Sequence, residues 1–365
     1  MITVADLSFT GNEMAYVQEC IQSGWVSSKG PYVQQFEVAF AAWCEGKHGI
    51  ATSSGTNALH LALLACDLGP GDEVIVPALS YVASVNAVSY TGASPVFVDA
   101  NLETWNLDLN QLEAKITPRT KAIMAVHLYG HPLDMGVLWK IAEKYNLYLI
   151  EDACQAHGSE YRGKRVGGLG HIGCFSFYAN KLITTGEGGM IVTNSDELAE
   201  TVQLLRNQGT KNGSYQHVSL GFSYRMTNLQ AAVGLAQLEQ VNSFIAARDQ
   251  IVCQYNKLLE HIPGLTFYRE PAWGRSVCWL YSFLVEPQAG LSRDQLIDTL
   301  KSHAIESKPF FPSIPGLPIY LDHQPYPVAE HLAHCGISLP TSPHLQPEKL
   351  SYIATTVQKA FKLLR

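Results

Sequence analysis

The chain has 365 residues, with 25 Lys plus Arg against 32 Asp plus Glu, so its formal net charge at pH 7 is −7. This balance excludes a general electrostatic attraction to nucleic acid or to an anionic membrane, and any phosphate must be bound locally. At roughly 150 residues per domain, the length allows one large or two medium domains with a sizeable core.

The first residues, MITVADLSFTGNEMAY, contain acidic side chains and lack a basic start followed by an apolar run, so no secretory signal is predicted. We find no apolar stretch of the roughly 18 residues that a membrane span requires. The eight cysteines form no CxxC pair, and the histidines are dispersed. We therefore expect a cytoplasmic protein with reduced thiols and no metal site.

Seven β-rich runs alternate with helical patterns between residues 48 and 193. The runs are HGIAT, DEVIVP, SPVFVD, KAIMAVHLY, LYLIED, GCFSFY and GGMIVT. Helices are predicted over residues 56–67, 81–90 and 135–145, and this β-α alternation predicts an α/β fold with a mostly parallel seven-stranded sheet. The last two runs have no full helix between them, which predicts one local antiparallel pairing.

The pattern changes after residue 193. A helix is predicted over 196–207, a Gly/Asn/Ser-rich loop over 209–214, and one long helix over 227–248 that could join two domains. A strand at 277–285, a helix at 294–303, a Pro-rich segment at 308–320 and a last helix at 347–364 follow. We predict a large domain of residues 1–240 and a smaller α+β C-terminal domain of residues 241–365.

The segment HGIATSSGTNALHLALLA leads from a strand into a helix through small and hydroxyl-bearing residues. Ser53, Ser54, Gly55 and Thr56 place free backbone N–H groups at a helix N-terminus, which suits a phosphate. Ordinary capping of the helix by serine or threonine explains the same residues equally well.

Two charged residues suggest a specific chemistry. Asp152 ends the apolar strand LYLIED, where ligands gather in parallel sheets, and Lys181 lies in a loop bordered by glycines. A lysine amine forms a Schiff base with an aldehyde cofactor, and a carboxylate keeps a pyridinium nitrogen protonated. The two residues together therefore favour a pyridine-aldehyde cofactor.

Five ordered segments resemble the signature blocks of the DegT/DnrJ/EryC1/StrS family of sugar aminotransferases. They are SSGTNAL, PALSYVASVNAV, EDACQAHG, SFYANKLITTGEGGM and GFSYRMTNLQAAVGLAQLE. The resemblance implies pyridoxal 5'-phosphate as cofactor and the fold type I, aspartate aminotransferase-like architecture. It implies that Lys181 forms the Schiff base and transfers protons, and that Asp152 pairs with the pyridine nitrogen.

Further roles follow from the same resemblance. Gln155 is expected to contact the ring oxygen and Tyr81 to stack on the ring, while Gly55, Thr56 and Ser176 are expected to bind the phosphate. We expect His157, in the same turn as Gln155, to have a structural role.

One position departs from the family pattern. Where the family usually has Asn-Tyr-Arg-Met, this chain reads Ser223-Tyr224-Arg225-Met226. In relatives the asparagine reaches the cofactor phosphate of the neighbouring subunit. The shorter serine predicts a weaker or water-mediated contact within a homodimer whose active sites lie at the subunit interface.

The resemblance also suggests substrates. The Tyr-Arg-Met form is similar to enzymes that act at sugar C4. The segments WVSSKG and KPFFPSIPGLPIY look most like members that convert GDP-4-keto-6-deoxymannose to GDP-perosamine for lipopolysaccharide O-antigen, with L-glutamate as amino donor. Lys29, His217 and Lys308 are candidates for binding the nucleotide diphosphate, although a solvated role fits each of them too.

Three alternatives stay open at this point. The sugar could be UDP- or dTDP-linked and aminated at C4 or C3. A sugar dehydratase is disfavoured because dehydratase relatives have histidine at the position of Lys181. The third alternative is a non-catalytic regulatory or binding homologue, which the intact set Asp152, Gln155, Ser176 and Lys181 disfavours. No basic helix-turn-helix supports DNA binding.

Overall fold

A computed structural model describes residues 1–211 and 215–362. Its strands are β1 (His48–Thr52), β2 (Glu73–Pro77), β3 (Ser94–Val98), β4 (Thr120–Val126), β5 (Tyr148–Asp152), β6 (Glu160–Tyr161), β7 (Lys164–Arg165), β8 (Ile172–Ser176), β9 (Gly189–Thr193), β10 (Leu265–Phe267), β11 (Gly274–Arg275), β12 (Tyr281–Val285), β13 (Lys308–Pro309) and β14 (Gly336–Leu339). Its α-helices are α1 (Glu13–Ser23), α2 (Pro31–Trp43), α3 (Gly55–Ala65), α4 (Ala83–Tyr90), α5 (Leu109–Leu112), α6 (Met135–Tyr145), α7 (Asp196–Arg206), α8 (Asn228–Glu239), α9 (Val241–Leu259), α10 (Arg293–Ser302), α11 (Pro327–Cys335) and α12 (Pro347–Lys362).

The large sheet contains the seven predicted strands in the order β1-β9-β8-β5-β4-β2-β3. The pairs from β3 across to β8 are parallel, whereas β9 is antiparallel to both of its neighbours. The predicted α/β class and the local antiparallel pairing are therefore confirmed.

Helices cover both faces of this sheet. Val74 and Val76 of β2 pack with α3 and α4 on one face, while Ile75 between them packs with α2, α6 and α8 on the other. Because side chains alternate along a strand, nearly continuous apolar runs are needed to fill two cores. This requirement explains why the strands do not show a polar and apolar alternation.

The C-terminal part contains a smaller sheet in the order β10-β12-β14-β13. Residues of α9, α10 and α12 pack on it in a separate apolar cluster. The start of the chain joins this part, because Ile2 pairs with Ile305 in a parallel bridge. The division at residues 240 and 241 stays a prediction.

The prediction of one helix over 227–248 is wrong. α8 ends at Glu239 and α9 begins at Val241, and Gln240 between them has φ −105° and ψ −1°. The Gln240 amide donates to Glu13 Oε1 at 3.2 Å, which ties this junction to α1. Both helices bury an apolar face, so the periodicity alone does not reveal the break.

Two other predicted segments extend beyond the described residues, namely the loop at 209–214 and the last helix at 347–364. Within the described part of the chain, no helix combines the length and the apolar character that a membrane crossing requires.

Candidate active site

Lys181 lies in the loop between β8 and β9, at the wall of a cavity of about 360 Å³. Its backbone N–H donates to the Tyr178 carbonyl at 2.9 Å, which fixes the turn that carries the side chain. Burial lowers the pKa of the Lys181 amine to about 8, although Cys154 and Asp152 favour its charged form. The amine can therefore be neutral, and hence nucleophilic, near neutral pH.

Asp152 lies at the C-terminal end of β5 and is 5% exposed. Its Oδ2 accepts a hydrogen bond from the Ser84 hydroxyl at 2.6 Å, and its Oδ1 accepts one from the Cys154 N–H at 3.1 Å. The preceding Glu151 accepts instead from backbone N–H groups of Gly167 and Leu169, both at 2.7 Å. Of the two adjacent carboxylates, only Asp152 lines the cavity.

The N-terminus of α3 closes one end of the cavity. Ser54 caps the helix by accepting from the Asn57 N–H at 3.1 Å, so the Ser54 side chain satisfies only part of the helix's free donors. A Cβ on Gly55 would lie 2.6 Å from Ser176 Cβ, and this close approach of α3 to β8 requires glycine. Thr56 and Ser176 line the same end.

Gln155 and Tyr81 complete the predicted set. Gln155 is buried, and its Oε1 accepts from the Tyr129 N–H at 2.8 Å, which holds the amide at the cavity wall. Tyr81 is 54% exposed and its ring centroid lies 5.5 Å from that of Phe311. Tyr81 therefore lies where the cavity opens to solvent.

These residues fit pyridoxal phosphate. The cavity brings together a carboxylate fixed by a hydroxyl, an amine with a lowered pKa, and a helix N-terminus flanked by hydroxyl groups. A helix N-terminus with free N–H groups favours a phosphate. The predicted residues Gly55, Thr56, Tyr81, Asp152, Gln155, Ser176 and Lys181 all line it.

The other candidates lie outside this cavity within one chain. Ser223 is exposed and accepts from an Arg225 guanidinium N–H at 2.9 Å. Lys29 and His217 are also exposed, and His217 Nδ1 contacts the Gln208 carbonyl at 2.8 Å. Lys308 forms an ion pair with Glu306 at 2.6 Å. Their proposed roles stay predictions.

His157 is buried behind the cavity among aromatic rings, with its centroid 5.4 Å from that of Phe175 and 5.6 Å from that of Phe177. Burial lowers its pKa to about 3, so the imidazole is neutral. It does not line the cavity, in agreement with a structural role.

Sequence reasoning missed several cavity residues. Ser84, Trp279 and Phe311 line the cavity, and the last two come from segments more than 90 residues beyond Lys181. Ser84 lies within a recognised block, but only the packing of α4 against the end of β5 shows that it meets Asp152. No local signal marks Trp279 or Phe311.

Comparison with known proteins agrees with this geometry. The model of the DegT/DnrJ/EryC1/StrS aminotransferase family matches residues 8–358. The chain is 49% identical over 344 residues to a GDP-perosamine synthase of Caulobacter vibrioides, covering 93% of each chain. It is 44% identical over 362 residues to a GDP-perosamine synthase of Escherichia coli O157:H7, covering 99% of this chain and 98% of that one.

A solved structure of Spr1654 from Streptococcus pneumoniae, in its PLP form, superposes with a TM-score of 0.93 at 29% identity. The match covers 100% of this chain and 99% of the other. The chain belongs to the DegT/DnrJ/EryC1/StrS aminotransferase family. It is a sugar aminotransferase, and pyridoxal phosphate is its cofactor.

Proposed function

We propose that this member of the DegT/DnrJ/EryC1/StrS family transfers the amino group of L-glutamate to C4 of GDP-4-keto-6-deoxymannose, giving GDP-perosamine. The observation that carries the proposal is the near-full-length similarity to GDP-perosamine synthases. The cavity supports the reaction type, because it combines Lys181 and Asp152 with a phosphate-binding helix N-terminus.

The bound cofactor supplies a carbonyl carbon that accepts the amino group and a ring that withdraws electrons from the adjacent bond. Asp152 is the residue that would pair with the ring nitrogen and keep it protonated. Ser84 orients that carboxylate through its 2.6 Å hydrogen bond. Gly55, Thr56 and Ser176 would hold the phosphate, with Gln155 and Tyr81 at the ring.

Lys181 is proposed to hold and move the proton. An amine with a pKa near the working pH can both accept and return a proton, whereas an exposed lysine stays charged. We expect Lys181→Ala to remove both turnover and the absorbance band of the lysine-bound cofactor. Retained turnover in this variant would exclude the assigned role.

The proposal includes a cytoplasmic homodimer without a metal. Ser223 and His217 belong to a segment that exposes apolar side chains, with Tyr215 98%, Val218 56% and Leu220 92% exposed. Such side chains favour an interface with a second copy of the chain. In that arrangement Ser223 would reach the cofactor phosphate of the neighbouring subunit, and Lys29, His217 and Lys308 are candidates for the nucleotide diphosphate.

The test is spectroscopic. Purified enzyme is loaded with pyridoxal phosphate, converted with L-glutamate, freed of excess donor and then mixed with GDP-4-keto-6-deoxymannose. We expect the original absorbance band to return, with an amino group at C4 of the product by NMR. The UDP- and dTDP-linked keto-sugars serve as parallel substrates, and a return of the band only with one of them would reject the GDP-sugar.

A further inference from the structure

Trp279 lines a wall of the active-site cavity, and it lies outside the five sequence blocks that resemble the family. It lies two residues before the start of β12 at Tyr281 and is 5% exposed. Its indole Nε1–H donates to the Asn180 carbonyl at 2.8 Å, and its backbone N–H donates to the Tyr129 carbonyl at 2.8 Å. Hydrogen bonds therefore hold both the indole ring and the backbone of Trp279.

The Trp279 ring lies directly against the catalytic amine. Lys181 Nζ is 3.9 Å from the ring centroid, within the range of a cation–π contact. Among the residues that the structure describes, no carboxylate lies within ion-pair distance of this amine. The oxygens of Asp152 are instead engaged by Ser84 and by the Cys154 N–H.

The backbone before Trp279 is held in an unfavourable conformation. Cys278 has a φ of 49°, in the left-handed region that non-glycine residues rarely adopt. Its N–H donates to the Ser276 hydroxyl oxygen at 3.0 Å, and the neighbouring Val277 N–H donates to Ser159 Oγ at 3.1 Å. Such backbone strain is typical of functional sites.

We infer that Trp279 is a positioning residue for Lys181, whose indole face holds the ε-amine in the cavity whenever that amine is not bonded to the cofactor. The inference rests on the role proposed for Lys181. Transamination leaves the lysine amine free after the first half-reaction, and a long flexible side chain loses orientation unless a partner holds it. The indole supplies that partner without holding the amine in its charged form as strongly as a paired carboxylate would.

Two effects of the ring on the amine oppose each other. The indole face attracts the protonated amine, whereas the apolar cover removes water and disfavours the charge. Other titratable or charged groups line the cavities that Lys181 also lines or act on its charge, and the fluorinated variants leave them unchanged. They are Asp6, Tyr81, Asp152, Cys154, His157, Tyr178, Glu187, Arg248 and His344.

Fluorinated tryptophan separates the two effects, because fluorine weakens the electron density of the ring face while nearly keeping its shape. A graded series of fluorotryptophans is placed at position 279 of the full-length, cofactor-free enzyme. The pKa of the Lys181 amine is then measured from the pH dependence of its labelling by an amine reagent, with the peptide identified by mass spectrometry. The same fluorotryptophans placed at position 273 serve as the control. The ring centroid of Trp273 lies 5.6 Å from that of Tyr161.

We expect the pKa of Lys181 to fall progressively with fluorination at position 279, by about one unit at full substitution, and to stay unchanged for position 273. In a second variant, Trp279→Ala, water reaches the amine and its pKa should rise. An amine pKa that does not respond to fluorination would overturn the inference. This experiment contains no sugar, so its result does not depend on whether GDP-4-keto-6-deoxymannose is the substrate. An unresponsive pKa would likewise leave the proposed substrate untouched.

Discussion

The Ser84 hydroxyl determines how the Asp152 carboxylate faces the cavity. Hydrogen bonds to a charged group contribute about 1.5–3 kcal/mol. Because the bond is 2.6 Å long and buried, Ser84→Ala should leave Asp152 with one fewer donor and a freer side chain. We expect the affinity for pyridoxal phosphate, measured by titration of its absorbance, to fall about tenfold or more.

Ser89 provides the matched control on the same helix. Its hydroxyl contacts the Val85 carbonyl at 3.4 Å and Tyr320 Oη at 3.1 Å, outside the cavity. Ser89→Ala should therefore leave cofactor affinity unchanged. Equal affinities in the two variants would show that Ser84 does not orient Asp152.

Single residues also show the limit of sequence reasoning. Asp152 and Lys181 were predictable because both fall in recognisable blocks, Asp152 at the end of a strand and Lys181 in a loop bordered by glycines. Trp279 and Phe311 follow no such rule, since their place in the cavity depends on contacts of the C-terminal segments with Tyr129 and Asn180. Lys308, by contrast, lies outside the cavity and pairs with Glu306, only two residues away.

At the scale of elements, the approach of α3 to β8 depends on Gly55. A Cβ there would meet Ser176 Cβ at 2.6 Å and Ser176 Cα at 3.1 Å, and neither atom can rotate away without moving the backbone of β8. Gly55→Ala should displace the N-terminus of α3 from the cavity and weaken phosphate binding. We expect at least a tenfold loss of affinity for pyridoxal phosphate, with a smaller loss for pyridoxal, which lacks the phosphate.

Gly69→Ala is the control for this substitution. A Cβ at position 69 has the Thr91 carbonyl as its nearest neighbour at 4.0 Å, so the methyl group fits. A variant at position 55 that loses affinity for both ligands equally would indicate general damage to the cavity rather than loss of the phosphate site.

Elements were predicted well wherever burial imposed a pattern. The seven strands of the large sheet were found because most of their residues are buried in nearly continuous apolar runs. The boundary between α8 and α9 was missed because it depends on Gln240 meeting Glu13 of α1, a contact across 227 residues. Periodicity reports which face is buried, and it does not report where a helix axis changes direction.

At the scale of the whole molecule, two buried histidines make the fold sensitive to acid. Burial lowers the pKa of His131 and that of His157 to about 3 each. The unfolded chain, with histidine pKa near 6.5, then binds more protons than the native state between these values. The free energy of unfolding should therefore be fully retained above about pH 6.5 and fall as the pH drops toward about 3.

Each histidine contributes a slope of about 1.4 kcal/mol per pH unit within that window. We expect His157→Gln to reduce the slope of stability against pH by about this amount, measured by urea unfolding at a series of pH values. His303→Gln, at an exposed position, should keep the slope of the parent. A His157 variant with the parent's slope would mean that this imidazole is protonated in the native state.

The proposed homodimer makes a prediction about the whole molecule. Leu220 is 92% exposed and lies three residues before Ser223, the residue proposed to reach the neighbouring cofactor. Burying a leucine side chain contributes about 2 kcal/mol to the free energy of association. A twofold-symmetric dimer contains the substituted residue in both subunits, so the loss occurs twice. Leu220→Asp should therefore weaken dimerisation on the order of a thousandfold, as measured by sedimentation velocity across a dilution series.

Retention of the cofactor distinguishes a subunit interface from an exposed apolar patch that binds nothing. If Ser223 crosses to the partner, dilution of the Leu220→Asp variant should release pyridoxal phosphate in step with dissociation. Ile319→Asp, at another exposed apolar position with 69% exposure, should change neither association nor cofactor retention. A Leu220 variant that dissociates yet retains its cofactor would place the whole phosphate site within one chain, so that the N-terminus of α3 with Thr56 and Ser176 suffices to hold it.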